Sequence, residues 1–271
     1  MRLQMKDTYF CLMQNSIEFK NTNIYFTDEG KGSVIVLLHG FLENSTMWSS
    51  ISKELSKKYR IVCVDLLGSG KTGCIGYVHS MEEMADAVKA VLKELKIRRA
   101  IFVGHSMGGY VALAFAEKYP KNVKGVCLMN STSQADSEER KKMRLRAIEM
   151  AKENYETLVK MSISNLFAEN MRSQLSEEIE KIREEALKTP VRGYIAATEG
   201  MRLRKNNEAV LHTIEKRLVI AGKNDPILNY TIVEEEAKRT NTSLIALPNG
   251  HMSHVEAKEE LLKALTNFIK A

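Results

Sequence analysis

The sequence predicts an α/β fold: a mostly parallel central sheet with helices on both faces, interrupted by a helical insertion. Three observations predict it. Short, continuous apolar runs rich in Val, Ile and Leu recur along the chain, as strands buried on both faces require. Amphipathic helical patterns separate those runs, as right-handed crossovers between parallel strands require. One stretch, from about Ser131 to Val210, carries helical patterning and no apolar strand, and it is too long to be a simple connection.

Taken in order, Ile17–Phe19 and Ile24–Thr27 read as a short hairpin turning at Asn21-Thr22-Asn23. Val34–Leu38, Ile61–Leu66, Ala100–Val103, Val123–Asn130, Arg217–Ala221 and Ser243–Leu247 read as buried strands. Trp48–Lys57, Met81–Leu95, Gly108–Lys118, Tyr230–Arg239 and Val255–Ile269 read as the helices between and after them. The organisation expected is a first core part over 1–130, a helical cap insertion over 131–210 and a second core part over 211–271. Five methionines of the insertion (Met143, Met150, Met161, Met171 and Met201) read first as packing it onto the core, and second as an adaptable apolar pocket wall.

Composition narrows the function classes. The 271 residues are 44% hydrophobic and 27% charged, a balance suited to a packed core and unlike that of a disordered chain. Forty basic and 34 acidic residues give a net charge of +6, but the two signs are interspersed, so no nucleic-acid partner is expected. Cys11, Cys63, Cys74 and Cys127 form no CxxC pair, and neither a metal nor a cofactor is expected. No run is long and apolar enough for a membrane span, and Met1–Gln14 lacks the apolar centre of a signal peptide. A cytoplasmic protein, monomeric or homodimeric, is the expectation.

The chemistry centres on Gly104-His105-Ser106-Met107-Gly108, a G-x-S-x-G motif entered from an apolar strand and left through a helix. A serine on such a strand–turn–helix elbow is exposed for attack, and small flanking residues relieve the crowding of a sharp turn. A serine hydroxyl needs a base, and the base needs an orienting acid. Asp225 follows the strand Arg217–Ala221 and is favoured as the acid over Asp136. His251 follows the last strand beside Gly250 and is favoured as the base over His254. Both then lie on loops at the carboxyl edge of the sheet, where open α/β sheets bind ligands. The backbone N–H groups of Met107 and Phe41 are the candidate oxyanion donors. Leu42 and Trp48 are candidate pocket residues. His39 reads as a holder of its own loop, His105 as a filler pointing away from Ser106, and His79 and His212 as surface or packing residues. Arg144, Arg192, Arg202 and Arg204 read first as surface ion pairs and second as ligands for a substrate carboxylate.

Taken together and in order, His39-Gly40-Phe41 with Trp48 downstream, Asp65-Leu66-Leu67-Gly68-Ser69-Gly70, Gly104–Gly109, Gly222-Lys223-Asn224-Asp225 and Gly250-His251 resemble the α/β-hydrolase superfamily over nearly the whole chain. The run is similar to its cofactor-free branch of esterases, perhydrolase-type enzymes and C–C bond hydrolases. That resemblance implies a triad of Ser106, Asp225 and His251, a helical cap, and a carboxylesterase-type reaction on a small acyl substrate through an acyl-enzyme. C–C hydrolysis or a lyase step on the same triad is the alternative, and a non-catalytic small-molecule receptor is a third reading. Ser69 and Leu67 stand where the superfamily often has histidine and proline. Tyr110 stands where the menaquinone-pathway lyases commonly carry arginine.

Overall fold

The computed structural model describes residues 14–271; Cys11 and the reading of the N-terminal segment lie outside the described residues. Eight strands form one sheet: β1 (Gln14–Phe19), β2 (Thr22–Glu29), β3 (Val34–Leu38), β4 (Arg60–Val64), β5 (Ala100–His105), β6 (Val123–Met129), β7 (Arg217–Gly222) and β8 (Ser243–Leu247). Their order across the sheet is β1-β2-β4-β3-β5-β6-β7-β8. Only the β1/β2 and β2/β4 pairs are antiparallel. The hairpin turns one residue earlier than its sequence suggests. Phe19 pairs with Thr22, and the two linking residues, Lys20 and Asn21, take φ of 43° and 64°. Two successive positive φ values match the twist of the strands they join, and asparagine tolerates them well.

The strand side chains alternate between two apolar layers. Val36, Leu38, Val62, Val64, Phe102, Val126 and Leu128 face one side, against α2 (Met81–Glu94) and α3 (Met107–Lys118). Ile35, Leu37, Ile61, Cys63, Ile101, Val103 and Cys127 face the other, with α1 (Ser49–Leu55) and, near the C-terminus, α11 (Lys258–Lys270). Burial on both faces is why these strands read as unbroken apolar runs.

Between β6 and β7 the chain forms only helices: α4 (Glu138–Glu153), α5 (Tyr155–Ser164), α6 (Ser176–Ala186), α7 (Val191–Leu203) and α8 (Glu208–Thr213), with a short 3₁₀ turn at Glu169–Met171. Val159, Ile163, Phe167, Ile179 and Tyr194 build a third apolar cluster that also takes in Leu42 and Met252 from core loops. Past β7 come α9 (Tyr230–Arg239) and α10 (Ser253–Glu256). The single C-terminal helix expected from sequence is broken at Ala257, whose φ of −144° separates α10 from α11.

Two sequence readings are corrected. Trp48 does not border the pocket: it ends a 3₁₀ turn at Ser45–Trp48 and is fully buried in the layer of Ile35, Leu37 and Ile51. The turn, capped by the Asn44 side chain on Thr46 N–H, rolls the indole under the sheet. The packing role proposed for the cap methionines fits Met201, which is buried, whereas Met143, Met150 and Met161 are exposed.

Candidate active site

Ser106 sits between β5 and α3 with φ 49° and ψ −114°. A non-glycine residue there is strained, and such strain persists only where its surroundings enforce it. The surroundings are crowded. A Cβ on Gly104 would lie 2.3 Å from the Gly108 carbonyl oxygen, and one on Gly108 would lie 2.2 Å from the Leu38 carbonyl oxygen. Glycine at both positions lets α3 start directly against β3 and β5. The Ser131 hydroxyl donates to the Ser106 carbonyl at 2.7 Å, and Ser106 N–H donates to the Met129 carbonyl, tying the elbow to β6.

His251 and Asp225 meet as their positions in sequence suggest. His251 Nδ1 lies 2.7 Å from Asp225 Oδ2, and both side chains are almost wholly buried. Asp225 Oδ1 accepts from the N–H groups of Ile227 and Leu228, at 2.8 and 3.0 Å. Its Oδ2 also accepts from Asn130 Nδ2 at 3.1 Å. Burial alone would raise the Asp225 carboxyl, but the His251 charge and these hydrogen bonds outweigh it and hold the group below its ordinary range. With Asp225 ionised, the His251 Nδ1 proton has a fixed acceptor, which leaves Nε2 as the basic nitrogen.

Asn130 was not foreseen. It follows β6 in the left-handed region at φ 45° and also donates to the Gly250 carbonyl at 3.1 Å, so one amide grips both Asp225 and the loop that carries His251. An asparagine closing an apolar strand was the available signal. The rivals go elsewhere. Asp136 is enclosed by Arg140, Arg144 and Arg204. His254 faces Glu43, with Nε2 3.6 Å from Oε1.

His105 is more than a filler. It does turn from Ser106, but Nδ1 lies 2.6 Å from Glu43 Oε2 and Nε2 lies 3.0 Å from the His251 carbonyl oxygen. Glu43 Oε2 also accepts from Gly40 N–H at 2.8 Å, in the loop that carries Phe41. Burial pushes the Glu43 carboxyl up, but the neighbouring His105 overrides this and brings it down to about 2. Burial opposes charge on His105, and Glu43 outweighs that and raises its pKa. Buried His254 is lowered to about 4. Glu43, His105 and His254 are also the one group among the described residues whose ligand-type atoms converge, within 4.8 Å, as a metal would need. The direct Glu43–His105 bond makes the cluster an ion pair.

Met107 is the first residue of α3, where an N–H has no carbonyl within the helix and the dipole favours negative charge. Phe41 lies in the loop after β3. His39 holds that loop, with Nδ1 2.7 Å from the Gly40 carbonyl and Nε2 accepting from Leu66 N–H at 2.9 Å. Ser106 and His251 open into a cavity of about 370 Å³ bordered also by Phe41, Leu42, Tyr110, Tyr194 and Met201. Among the sequence-singled arginines, Arg144 borders this cavity, Arg204 is buried behind it, Arg202 pairs with Glu199 and Arg192 is exposed. Among the described residues, no helix is long and apolar enough to cross a membrane.

The chain resembles a thermophilic esterase from Thermogutta terrifontis, solved with malate bound, at 31% identity and a TM-score of 0.88 over 95% of this chain and 98% of that one. It is 37% identical over 112 residues to a 2-hydroxy-6-oxononadienedioate/2-hydroxy-6-oxononatrienedioate hydrolase of Paraburkholderia phymatum, covering 39% of each chain. An uncharacterised Mycobacterium tuberculosis protein is 32% identical over 119 residues, 43% of this chain; the match spans about a third (35%) of that relative's length. The α/β hydrolase fold family model matches residues 33–258, and with the elbow, the sheet order and these likenesses in place, the chain belongs to the α/β-hydrolase fold family.

Proposed function

We propose that the protein is a serine hydrolase of carboxylic esters, with Ser106 as nucleophile, His251 as base and Asp225 as the acid that orients it. The observation that carries this reading is the 2.7 Å His251–Asp225 contact opening into the same cavity as Ser106 on its strained elbow. Ser106 Oγ adds to the ester carbonyl while His251 Nε2 takes its proton. The backbone N–H groups of Phe41 and Met107 receive the developing oxyanion. His251 returns the proton to the departing alcohol, then draws one from water as its oxygen adds to the acyl carbon, and passes that proton to Ser106 Oγ as the C–Oγ bond breaks and the acid leaves. The helices of 131–210 act as a cap, and Phe41, Leu42, Tyr194 and Met201 give the acyl group an apolar bed. Likeness to the Thermogutta esterase over nearly the full length of both chains supports an ester substrate.

Ser106→Ala should lower turnover of 4-nitrophenyl butyrate by about 10⁴-fold or more and abolish labelling by a fluorophosphonate probe. Near wild-type turnover in that variant would remove Ser106 from the mechanism. The partial likeness to the Paraburkholderia hydrolase favours C–C hydrolysis as the second reading. Rapid cleavage of a vinylogous 1,5-diketone with feeble ester turnover would establish it instead.

A further inference from the structure

Beside Ser106 the cavity carries a cationic end that the reaction does not use. Among the described residues, the buried Asp136 carboxylate is the one acid paired with it. Arg204 Nη1 donates to it at 2.6 Å, Arg144 Nε donates to it from α4, and Arg140 Nε stands 3.6 Å away. One carboxylate thus faces three guanidinium groups, leaving an excess of two positive charges. Arg204 does not border the cavity: it lies over the Tyr110 ring at 4.0 Å and donates to the Gln134 and Met201 carbonyls. Arg140 and Arg144 do border it, with side chains 35% and 14% accessible. Arg140 commits Nη1 to the Ile227 carbonyl, and Arg144 commits Nε and Nη2 to Asp136, so each keeps donors to spare. The one acidic residue on the cavity wall, Glu43, is already paired with His105. Elsewhere the wall is largely apolar, with Met143, Ala147, Leu166 and Ile227.

A guanidinium in a mostly apolar wall recognises planar oxyanions with two donors at once. We propose that Arg140 and Arg144 form a subsite for a carboxylate at the far end of the substrate, so that the preferred substrate is an ester whose acyl chain ends in a second, ionised carboxyl group. The catalytic half of this statement rests on the serine-hydrolase reading above; the binding half does not.

The test compares mono-4-nitrophenyl adipate with 4-nitrophenyl hexanoate, and mono-4-nitrophenyl suberate with 4-nitrophenyl octanoate. Within each pair the chain length is the same and only the terminal charge differs. In at least one pair the anionic ester should have the higher kcat/KM, by about tenfold, the lower range for a charge-assisted hydrogen bond. Arg140→Gln and Arg144→Gln should each cut that ratio at least several-fold, and added salt should shrink it. A ratio of one or less in both pairs, or a ratio unmoved in both variants, overturns the subsite. Arg144 is tied to buried Asp136, so if Arg144→Gln fails to fold, Arg140→Gln carries the comparison. If neither ester is turned over and the fluorophosphonate leaves Ser106 unlabelled, the serine-hydrolase reading fails on its own account. The subsite is then decided by melting: adipate should raise Tm of the wild type and not of Arg140→Gln, and no rise in the wild type overturns it.

Discussion

Replacing Glu43 by glutamine isolates the buried ion pair behind the candidate active site. The carboxylate makes two hydrogen bonds through Oε2, with His105 Nδ1 at 2.6 Å and from Gly40 N–H at 2.8 Å, while Oε1 stands 3.6 Å from His254 Nε2. An amide of the same shape preserves packing, and its carbonyl oxygen can accept both bonds, since both go to Oε2. What is lost is charge. Lowering a carboxyl from 4.5 to about 2 corresponds to about 3 kcal/mol of preference for the ionised form in the folded protein. Removing one member of a buried pair independently costs about 3–5 kcal/mol when the other stays charged. His105 can shed its proton, so the lower figure applies: Glu43→Gln should destabilise by about 3 kcal/mol at pH 7. Urea unfolding of wild type and variant gives the difference directly. The sign with pH follows from the depressed pKa. The contribution is complete above 4.5 and drains away as pH falls toward about 2, so the two proteins should converge in acid. A variant within 0.5 kcal/mol of wild type at pH 7, on the scale of an ordinary surface change, would refute the ion pair as a stabilising element.

Three further outcomes are expected. Asn130→Ala removes one hydrogen bond each from Asp225 and the Gly250 carbonyl, and should lower kcat by about tenfold with KM nearly unchanged, read from steady-state ester hydrolysis. Asp136→Asn leaves guanidinium groups facing one another without a counter-charge, and should cost about 3 kcal/mol or more in urea unfolding. His254 is held neutral down to about 4, against an ordinary value of 6.5, so the unfolded chain binds its proton first. Stability should therefore fall as pH drops from 6.5 through about 4, and His254→Phe should flatten that part of a Tm-against-pH curve.

The fold was legible in sequence because both faces of the central strands are buried, which writes each strand as an unbroken Val, Ile and Leu run. The elbow was legible for a related reason: only glycine fits at 104 and 108, so steric need appears as a motif. Asp225 and His251 were reachable by counting strand ends. Residues that act through a second side chain were not. Glu43 looked like any loop acid, and nothing local marks it as lying 62 positions from its partner. Asn130 left only the faint trace of an asparagine ending a strand. Arg140 escaped attention in a helix of mixed charge, where the residue that faces inward depends on packing against α7 and the loop after β7. Trp48 was misplaced because position in sequence fixed its distance from the site but not the sense of the 3₁₀ turn beneath it.

The place where the helical segment joins the sheet has a practical meaning. It leaves from β6 and re-enters at β7, and those strands are paired neighbours, from Val126 opposite Arg217 to Met129 opposite Ile220. Its two attachment points are therefore fixed side by side by backbone hydrogen bonds, whatever lies between them. Grafting a different helical segment between residues 132 and 217 keeps Ser106, Asp225, His251 and the Ser131 tie in the chain and exchanges Arg140, Arg144, Tyr194 and Met201 in one step, provided the graft returns a backbone acceptor where the Leu166 carbonyl meets His251 N–H. Such chimeras separate inheritance of reactivity from inheritance of substrate choice, and give laboratory evolution a single cassette to vary.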